Sequence, residues 1–192
     1  MEKGLVSFII ATYRHFEGVY PTLDSLFMQD YPRVEIIFSD DGSPEYEKEI
    51  PAVKAYVEAH KGPNIVRVLY NRLPENQGTI RNCNSAYRLA SGEYLKDLAP
   101  EDTLSRPDAL RRYVDFLEKE KVLCCFSRQE GVDASGKLVP HLASSAEDYE
   151  TLASLSPDQL RKRLFVRNCL PAPAFFAKTE LFRTYGYYPE EV

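Results

Sequence analysis

Short apolar runs alternate with helical stretches along most of this 192-residue chain, and that alternation restricts it to few folds. The apolar runs are short and rich in branched residues, which predicts strands over residues 5–11, 34–38, 65–70, 94–98, 122–127 and 173–177. Apolar residues at helical spacing predict helices over residues 19–29, 46–60, 79–90, 107–119, 156–165 and 179–185. Strands that are joined through helices pair in parallel by right-handed crossovers. We therefore predict an α/β fold with a mostly parallel central sheet flanked by helices.

The composition excludes several classes of protein. The net charge is −5 and neither half of the chain is a basic block, which argues against nucleic acid as the main partner. The four cysteines include no CxxC pair, so we expect no zinc site and a reducing compartment. No run approaches the ~18 apolar residues of a membrane span, so we expect no transmembrane segment in this chain. A cytoplasmic location follows, with any membrane association made through parts outside this chain.

Acidic residues follow two of the predicted strands, and the first such cluster is residues 39–43 (SDDGS) after the run 34–38. In open α/β sheets, ligands bind outside the carboxyl ends of the strands. Asp, Gly and Ser are also favoured in turns for local reasons. The residues alone leave two interpretations open, namely a turn, or a carboxylate at a strand tip that accepts hydrogen bonds from a base or ribose.

The second cluster is residues 99–102 (APED), which follow the run 94–98. Mg²⁺ and Mn²⁺ prefer carboxylate oxygens and share them with substrate phosphates, so Glu101 and Asp102 suit a metal that accompanies a diphosphate. The alternative is that Asp102 caps or precedes the helix near Pro107. Two acid-tipped strands in one domain predict a site for a polar ligand, a nucleotide with a divalent metal nearby.

A third segment, residues 76–82 (NQGTIRN), leads into a predicted helix. Gly78 suits the entry to that helix and Thr79 suits a cap. Arg81 then falls in the first helical turn, near the carboxyl edge of the sheet. Helix N-termini attract anions and arginine adds a fixed fork of donors, so Arg81 is a candidate anion ligand; the alternative is an ordinary surface arginine.

Other residues of types that often act in catalysis or metal binding are assigned no function. Cys83 lies within a predicted helix and is interpreted as a core residue rather than a nucleophile. The three histidines, His15, His60 and His141, are dispersed and have no neighbours typical of a metal site or a nucleophile–base pair. Residues 133–136 are predicted to form a hairpin turn, and the polar stretch 141–156 an irregular insertion.

Three longer segments occur in order along the chain: VSFIIATYR, LDSLFMQDYPRVEIIFSDDGS and NQGTIRNCNSAYRLASGEYLKDLAPEDTL. Their motifs and separations resemble those of the family 2 glycosyltransferases, an inverting group with a GT-A fold. The resemblance covers residues 4–107 closely and 165–190 more loosely. It implies one catalytic domain over residues 1–192, with a nucleotide-sugar donor-binding half at 1–105 and an acceptor-side half, incomplete at its C-terminus, at 106–192.

The resemblance also implies roles for the residues that match the family's motifs. Asp41 would hydrogen-bond the base with support from Asp40, and Glu101 would contact the ribose. Asp102 would bind the metal, Mg²⁺ or Mn²⁺, which would hold the donor's diphosphate. The family often has Asp-x-Asp-Asp at the second cluster, whereas this chain has Ala99 first and the longer Glu101 third. The implied nucleotide-sugar-binding residues are Ala11, Thr12, Tyr13, Asp40, Asp41, Arg81 and Glu101.

The implied activity is that of an inverting, hexosyltransferase-type glycosyltransferase. It would move a sugar from a nucleotide-diphosphate donor, most commonly a UDP-sugar, to a hydroxyl of a carbohydrate or lipid-linked acceptor in polysaccharide or glycoconjugate biosynthesis. In the family an acidic pair supplies the general base, and Glu190 and Glu191 match the glutamates that precede it. We therefore expect the base beyond Val192, and donor binding rather than complete turnover from this chain.

The alternative is a non-catalytic nucleotide-sugar-binding or scaffold domain that kept the GT-A fold. The altered second cluster and the base expected outside the chain motivate it.

Overall fold

The computed structural model describes residues 1–133, 135–139, 146–166 and 170–191. Within these residues the strands are β1 (Glu2–Thr12), β2 (Val34–Asp40), β3 (Ile65–Arg72), β4 (Gly92–Leu98), β5 (Cys124–Phe126) and β6 (Phe175–Lys178). The helices are α1 (Val19–Phe27), α2 (Tyr46–His60), α3 (Thr79–Leu89), α4 (Ala109–Glu120), α5 (Ala146–Ser154), α6 (Pro157–Val166) and α7 (Thr179–Tyr185). A 3-10 turn at Ala172–Ala174 precedes β6.

The strands form one sheet in the order β3-β2-β1-β4-β6-β5. β1 pairs in parallel with β2 on one side and with β4 on the other, and β2 pairs in parallel with β3. β6 runs antiparallel to β4, so the sheet is mixed. The predicted α/β fold with a mostly parallel sheet is confirmed, and the antiparallel strand is a feature that many otherwise parallel sheets share.

Both faces of the sheet centre are covered. All seven residues of β2 are buried, as in a strand with helices on both sides. On one face, α1, α2 and α4 bury their apolar stripes in the cluster that contains Phe8 and Phe38. Elsewhere α3 buries Ala86 and Tyr87, and the Tyr87 ring lies 4.8 Å from the ring of Phe182 in α7. Residues 73–78 connect the end of β3 to the first turn of α3.

Three of the parallel strands, β1, β2 and β3, extend further at their carboxyl ends than the apolar runs predict. Thr12 pairs with Asp40, and Asp40 pairs with Arg72, so three polar residues lie in the sheet rather than in loops. Backbone pairing does not depend on the side chain, which is why hydrophobicity alone ends each strand too early. Asp40 is thus the last residue of a strand, and Asp41 the first residue of the loop.

The amino half of β2 contains a buried carboxylate, Glu35, with a fully buried side chain. It accepts backbone N–H groups from Ser91 at 2.7 Å and Gly92 at 3.2 Å, and Arg67 Nε at 2.9 Å. The Ser7 hydroxyl and a terminal nitrogen of Arg67 also contact it. Burial alone would raise the pKa of Glu35, but these hydrogen bonds outweigh it and hold that pKa below its usual value. The network ties β1, β2, β3 and the start of β4 together.

Two expectations for the second half of the chain are corrected. The stretch 141–156 was expected to be irregular, but residues 146–154 form α5, while 141–145 lie outside the described residues. Helix-forming Ala, Glu and Leu residues support it, and Tyr149 and Leu152, three positions apart, are its partly buried side chains. The strand expected at 173–177 begins only at Phe175, since Pro173 lies in the 3-10 turn. The predicted hairpin at 133–136 agrees with a bridge between Val132 and Leu138.

The chain divides into two compact units, one of residues 1–125 with 176–192 and one of residues 126–175. The donor-side division at residue 105 stays a prediction. Among the described residues, no helix has both the length and the apolar character that crossing a membrane requires.

Candidate functional site

The carboxyl ends of β2, β1 and β4 are neighbours at one edge of the sheet, because these strands are parallel and adjacent. The first acidic cluster follows β2 and the second follows β4, so the two clusters flank the end of β1. Two strand spacings separate β2 from β4, about 10 Å. The parallel topology therefore brings both clusters to a single edge, as the sequence predicts.

Asp40 shapes the loop that follows β2. Its buried carboxylate accepts the backbone N–H of Ser43 at 2.8 Å and the hydroxyl of the same residue. The Ser43 hydroxyl oxygen in turn accepts the backbone N–H of Arg14 at 2.8 Å. Between them Gly42 adopts φ +73°, and a Cβ there would lie 2.4 Å from the carbonyl carbon of Glu75. The turn interpretation thus describes Asp40, which fixes the backbone on either side of Asp41.

Asp41 is buried and holds the loop between β3 and α3. One carboxylate oxygen accepts the backbone N–H of Gln77 at 2.8 Å, and the other accepts that of Gly78 at 2.9 Å. The Asp41 backbone N–H donates to the carbonyl of Thr12 at 2.9 Å. A carboxylate has about four lone-pair sites, so two remain for a ligand after the two amides are bound.

Asn82, on α3, connects the same region and was not singled out from the sequence. Its side-chain amide accepts the Ser39 hydroxyl at 2.6 Å, donates to the Ser39 carbonyl at 3.0 Å, and approaches the Thr12 carbonyl at 3.4 Å. It is almost fully buried. An asparagine one turn into a helix that starts at the ligand-binding edge is a signal that could have identified it.

Side chains become exposed where β1 ends and its loop begins. Ala11 is partly buried and Thr12 is buried, its hydroxyl 3.3 Å from the His15 carbonyl. Tyr13 is 40% exposed, and the guanidinium of Arg14 lies 5.5 Å from the centroid of its ring. Arg14 has φ +58°, an uncommon conformation for a residue with a side chain. An exposed aromatic ring beside the end of β1 suits contact with a flat ligand such as a base.

Glu101 meets a residue to which the sequence assigned no role. Its carboxylate lies 3.2 Å from Nε2 of His15, and its backbone N–H donates to the Gly18 carbonyl at 2.7 Å. A Cβ on Gly18 would lie 2.4 Å from the His15 ring and 2.9 Å from Glu101, so glycine permits the close approach. Glu101 itself has φ +74°. Glu101, the longer acid at this position, thus lies beside His15.

Asp102 does not cap the next helix, since α4 begins at Ala109 with Asp108 as its N-cap residue. Its backbone carbonyl accepts the Thr22 hydroxyl at 2.9 Å, which fixes the loop to α1. Its carboxylate accepts the backbone N–H of Ala99, and among the described residues no side chain forms a hydrogen bond or ion pair with it. Burial raises the pKa of Asp102, and the nearby ammonium of Lys96 partly offsets this effect. A half-buried carboxylate with no side-chain partner among the described residues keeps acceptor sites for a cation.

The carboxylate side chains at this edge fit a metal ion that binds together with the substrate. Within the described ranges, no three His, Cys, Asp or Glu side chains cluster to hold a metal by themselves. Mg²⁺ is commonly bound through one or two carboxylates, with phosphates and water as the other ligands. One available carboxylate on Asp102 therefore suits a metal whose remaining ligands come from a diphosphate, and does not suit a permanently bound ion.

Arg81 lies in the first turn of α3, as predicted, and its side chain is 49% exposed. Its Nε lies 3.9 Å from a carboxylate oxygen of Glu190. Cys83, two residues on, is buried, and burial raises the pKa of its thiol to about 12. The interpretation of Cys83 as a core residue is confirmed by its burial, and the absence of a nucleophilic role stays a prediction.

Comparison with known sequences identifies the family. The model of the family described as Glycosyl transferase family 2 matches residues 7–182. The chain belongs to glycosyl transferase family 2. The resemblance carried by the motifs is therefore confirmed, over more of the chain than the 4–107 segment that carries it most closely.

Named relatives of this family 2 chain come from bacteria. It is 31% identical over 123 residues to UDP-Glc:alpha-D-GlcNAc-diphosphoundecaprenol beta-1,3-glucosyltransferase WfaP of Escherichia coli, covering 64% of this chain and 45% of WfaP. The chain spans about half the length of the curated relatives it matches.

Solved structures share the fold. S. aureus TarS 1-349 in complex with UDP matches with a TM-score of 0.69 and 21% identity, over 97% of this chain and 50% of that chain. The mannosyltransferase PcManGT from Pyrobaculum calidifontis, in complex with GDP-Man and Mn²⁺, matches with a TM-score of 0.71 and 22% identity, over 97% of this chain and 48% of that chain. This family 2 chain therefore has the GT-A fold.

Proposed function

We propose that this chain binds the nucleoside diphosphate of a sugar donor at the carboxyl edge of β1, β2 and β4, as part of a metal-assisted inverting glycosyltransferase. The observation that carries the proposal is the pair of acidic tips flanking β1. Asp41 fixes the loop that leads to Arg81 and keeps free acceptor sites, while the Asp102 carboxylate has no side-chain partner among the described residues. TarS in complex with UDP and PcManGT in complex with GDP-Man and Mn²⁺ support the ligand class.

Each residue of the proposed site has one task. Asp41 accepts an N–H of the base, and Asp40 holds the Asp41 backbone in place through its bonds to Ser43. Ala11, Thr12 and Tyr13 border the nucleotide beside the end of β1. Arg81 donates to the phosphates, and Glu101, oriented by His15, accepts hydrogen bonds from the ribose hydroxyls.

A divalent metal, Mg²⁺ or Mn²⁺, would be held by Asp102 together with the donor's diphosphate. It would neutralise the charge that develops on the diphosphate as it leaves. Asp102 contributes its carboxylate at the loop position that the Thr22 hydroxyl fixes.

The transfer itself is proposed for the whole protein. A hexosyl group would pass with inversion to a hydroxyl of a carbohydrate or lipid-linked acceptor, in the synthesis of a polysaccharide or glycoconjugate. WfaP, whose name gives a UDP-Glc donor and a diphosphoundecaprenol-linked acceptor, supports this class of reaction. In this proposal residues 1–105 form the donor half of one catalytic domain and residues 106–192 belong to its acceptor side.

Calorimetry of the chain with UDP and GDP, with and without Mn²⁺ or Mg²⁺, tests donor binding. We expect at least one nucleotide to bind, more tightly with metal. Asp102→Ala should remove the gain from metal, whereas Asp115→Ala, which removes an exposed acid from α4, should keep it. If folded wild-type protein bound neither nucleotide, or if Asp102→Ala behaved like Asp115→Ala, the proposed site would be wrong.

The substitutions at the second cluster favour one alternative, a binding domain without catalysis. Ala99 and Glu101 replace acids that family members often carry. A full-length protein that binds the nucleotide but neither transfers nor hydrolyses the sugar would support this alternative.

A further inference from the structure

The segment Gly186–Glu190, which follows α7, lies against α3 through one buried asparagine. The side chain of Asn84 donates to the Tyr188 carbonyl at 2.8 Å and accepts the Tyr188 backbone N–H at 3.1 Å. Asn84 is fully buried, and the Tyr188 ring packs 6.0 Å from that of Tyr87. A side-chain amide that satisfies both backbone groups of one residue fixes the position of that residue along the helix.

Glu190, at the end of the segment, contacts three side chains of α3. One carboxylate oxygen accepts Asn84 Nδ2 at 2.9 Å and Arg88 Nη2 at 2.9 Å, and the other lies 3.9 Å from Arg81 Nε. Residues 81, 84 and 88 are spaced by three and four, so they share one face of the helix. These contacts hold the pKa of Glu190 below its usual value, through the hydrogen bonds of Asn84 and Arg88 above all.

We propose that Glu190 is a positioning residue for Arg81, which it holds ready for the donor's phosphates while the segment 186–190 is fixed on α3. The proposal rests on the proposed donor site. It also makes the segment 186–190 part of the phosphate-binding arrangement. Neither the family match nor the sequence motif alone gives this segment such a role.

Two features indicate that Glu190 acts by positioning Arg81 and not by the stabilising energy of the ion pair between them. The carboxylate and Arg81 are both partly exposed, and exposed ion pairs contribute little to stability. However, the carboxylate is fixed by Asn84 and Arg88 independently of Arg81, so it provides a stationary acceptor beside a long, mobile side chain. Its nearest approach is to Nε, and the two terminal nitrogens of the guanidinium carry the four further N–H donors.

The test compares a nucleoside diphosphate with the corresponding nucleoside. Glu190→Gln keeps an acceptor for Asn84 but removes the charge that faces Arg81 and Arg88. Glu191→Gln is the matched control, because it removes the same charge from an adjacent exposed residue. Calorimetry measures the dissociation constants of UDP and uridine, or of GDP and guanosine if GDP binds more tightly. The variants compared are Glu190→Gln, Glu191→Gln and Arg81→Gln. A fourth, double variant combines Glu190→Gln with Arg81→Gln.

Relative to Glu191→Gln, we expect Glu190→Gln to weaken diphosphate binding about three- to ten-fold, in line with the cost of immobilising one long side chain, and to leave nucleoside binding unchanged. In the Arg81→Gln background, Glu190→Gln should have no further effect. A merely structural role would lower the melting temperature without a phosphate-specific change in affinity.

The outcomes separate the two proposals. Wild-type protein that binds no nucleotide overturns the proposed function. Wild-type protein that binds, with equal diphosphate affinities for Glu190→Gln and Glu191→Gln or an equal loss for nucleoside and diphosphate, overturns the role of Glu190 and leaves the donor site standing.

Discussion

Replacement of Asp41 by Asn tests whether this carboxylate organises the donor site. In the structure, the Asp41 side chain is buried, and its two oxygens accept the backbone N–H groups of Gln77 and Gly78 at 2.8 and 2.9 Å. An asparagine keeps one acceptor oxygen, but its NH₂ group faces the second backbone donor. One charge-assisted hydrogen bond is lost and one backbone N–H is left without its acceptor.

The loss can be given a magnitude. A hydrogen bond to a charged group contributes about 1.5–3 kcal/mol, so Asp41→Asn should lower the free energy of unfolding by that amount. For a domain of this size the melting temperature should fall by roughly 3–10 °C. If the ordered 76–78 loop is required for binding, the nucleotide dissociation constant should rise by about 10- to 100-fold, since about 1.4 kcal/mol corresponds to a factor of ten.

Calorimetric titration with UDP and GDP, together with thermal unfolding, measures both effects. Glu75→Gln is the matched control, because it neutralises an exposed acid of the same loop. Gly78→Ala disturbs the loop without touching the carboxylate, since Gly78 has φ +89° and ψ 158°, a conformation nearly confined to glycine. It should reproduce most of the affinity loss. An Asp41→Asn protein that bound nucleotide as well as Glu75→Gln would refute the reasoning.

Two further predictions concern stability. Glu35→Gln should destabilise the protein by about 2 kcal/mol at pH 7, because Arg67 loses its charged acceptor. The folded-state pKa of Glu35 is depressed, so its contribution to stability is present above the ordinary carboxyl pKa and is lost as pH falls through the folded-state pKa. Denaturant unfolding should therefore show that the difference in unfolding free energy between variant and wild type narrows towards pH 3. A difference that stays constant with pH would contradict the network. Gly42→Ala should cost more than about 2 kcal/mol, since its Cβ would strike the backbone of Glu75, whereas Gly4→Ala, at φ +67° with nothing within 4 Å, should show only the conformational cost of about 1 kcal/mol. Equal melting temperatures for the two alanine variants would show that the 75–76 backbone moves freely.

Much of the fold follows from local pattern. The apolar runs and helical spacing locate β1 to β4 and α1 to α4 within a few residues, because strand and helix periodicities are properties of neighbouring residues. Helix α5 was missed since its apolar residues are few and its polar residues resemble those of a loop. The antiparallel direction of β6 was also beyond the pattern, because strand direction depends on where the chain re-enters the sheet.

For the candidate site too, the sequence predicts some features and leaves others to the structure. The sequence identifies the acidic tips and the helix that carries Arg81, because parallel topology sends the ends of β1, β2 and β4 to one edge. The sequence does not identify what those side chains contact. His15 had no neighbour along the chain that suggested a function, yet it lies 3.2 Å from Glu101.

The sequence by itself thus determined the α/β architecture, the edge of the sheet that carries the acidic residues and the family to which the chain belongs. Only the tertiary structure decided the partners of each carboxylate: the Gln77 and Gly78 amides for Asp41, and three side chains of α3 for Glu190. The physical reason is that periodicity records short-range backbone preferences. Contacts between distant residues are set by the crossovers and loops that bring them together.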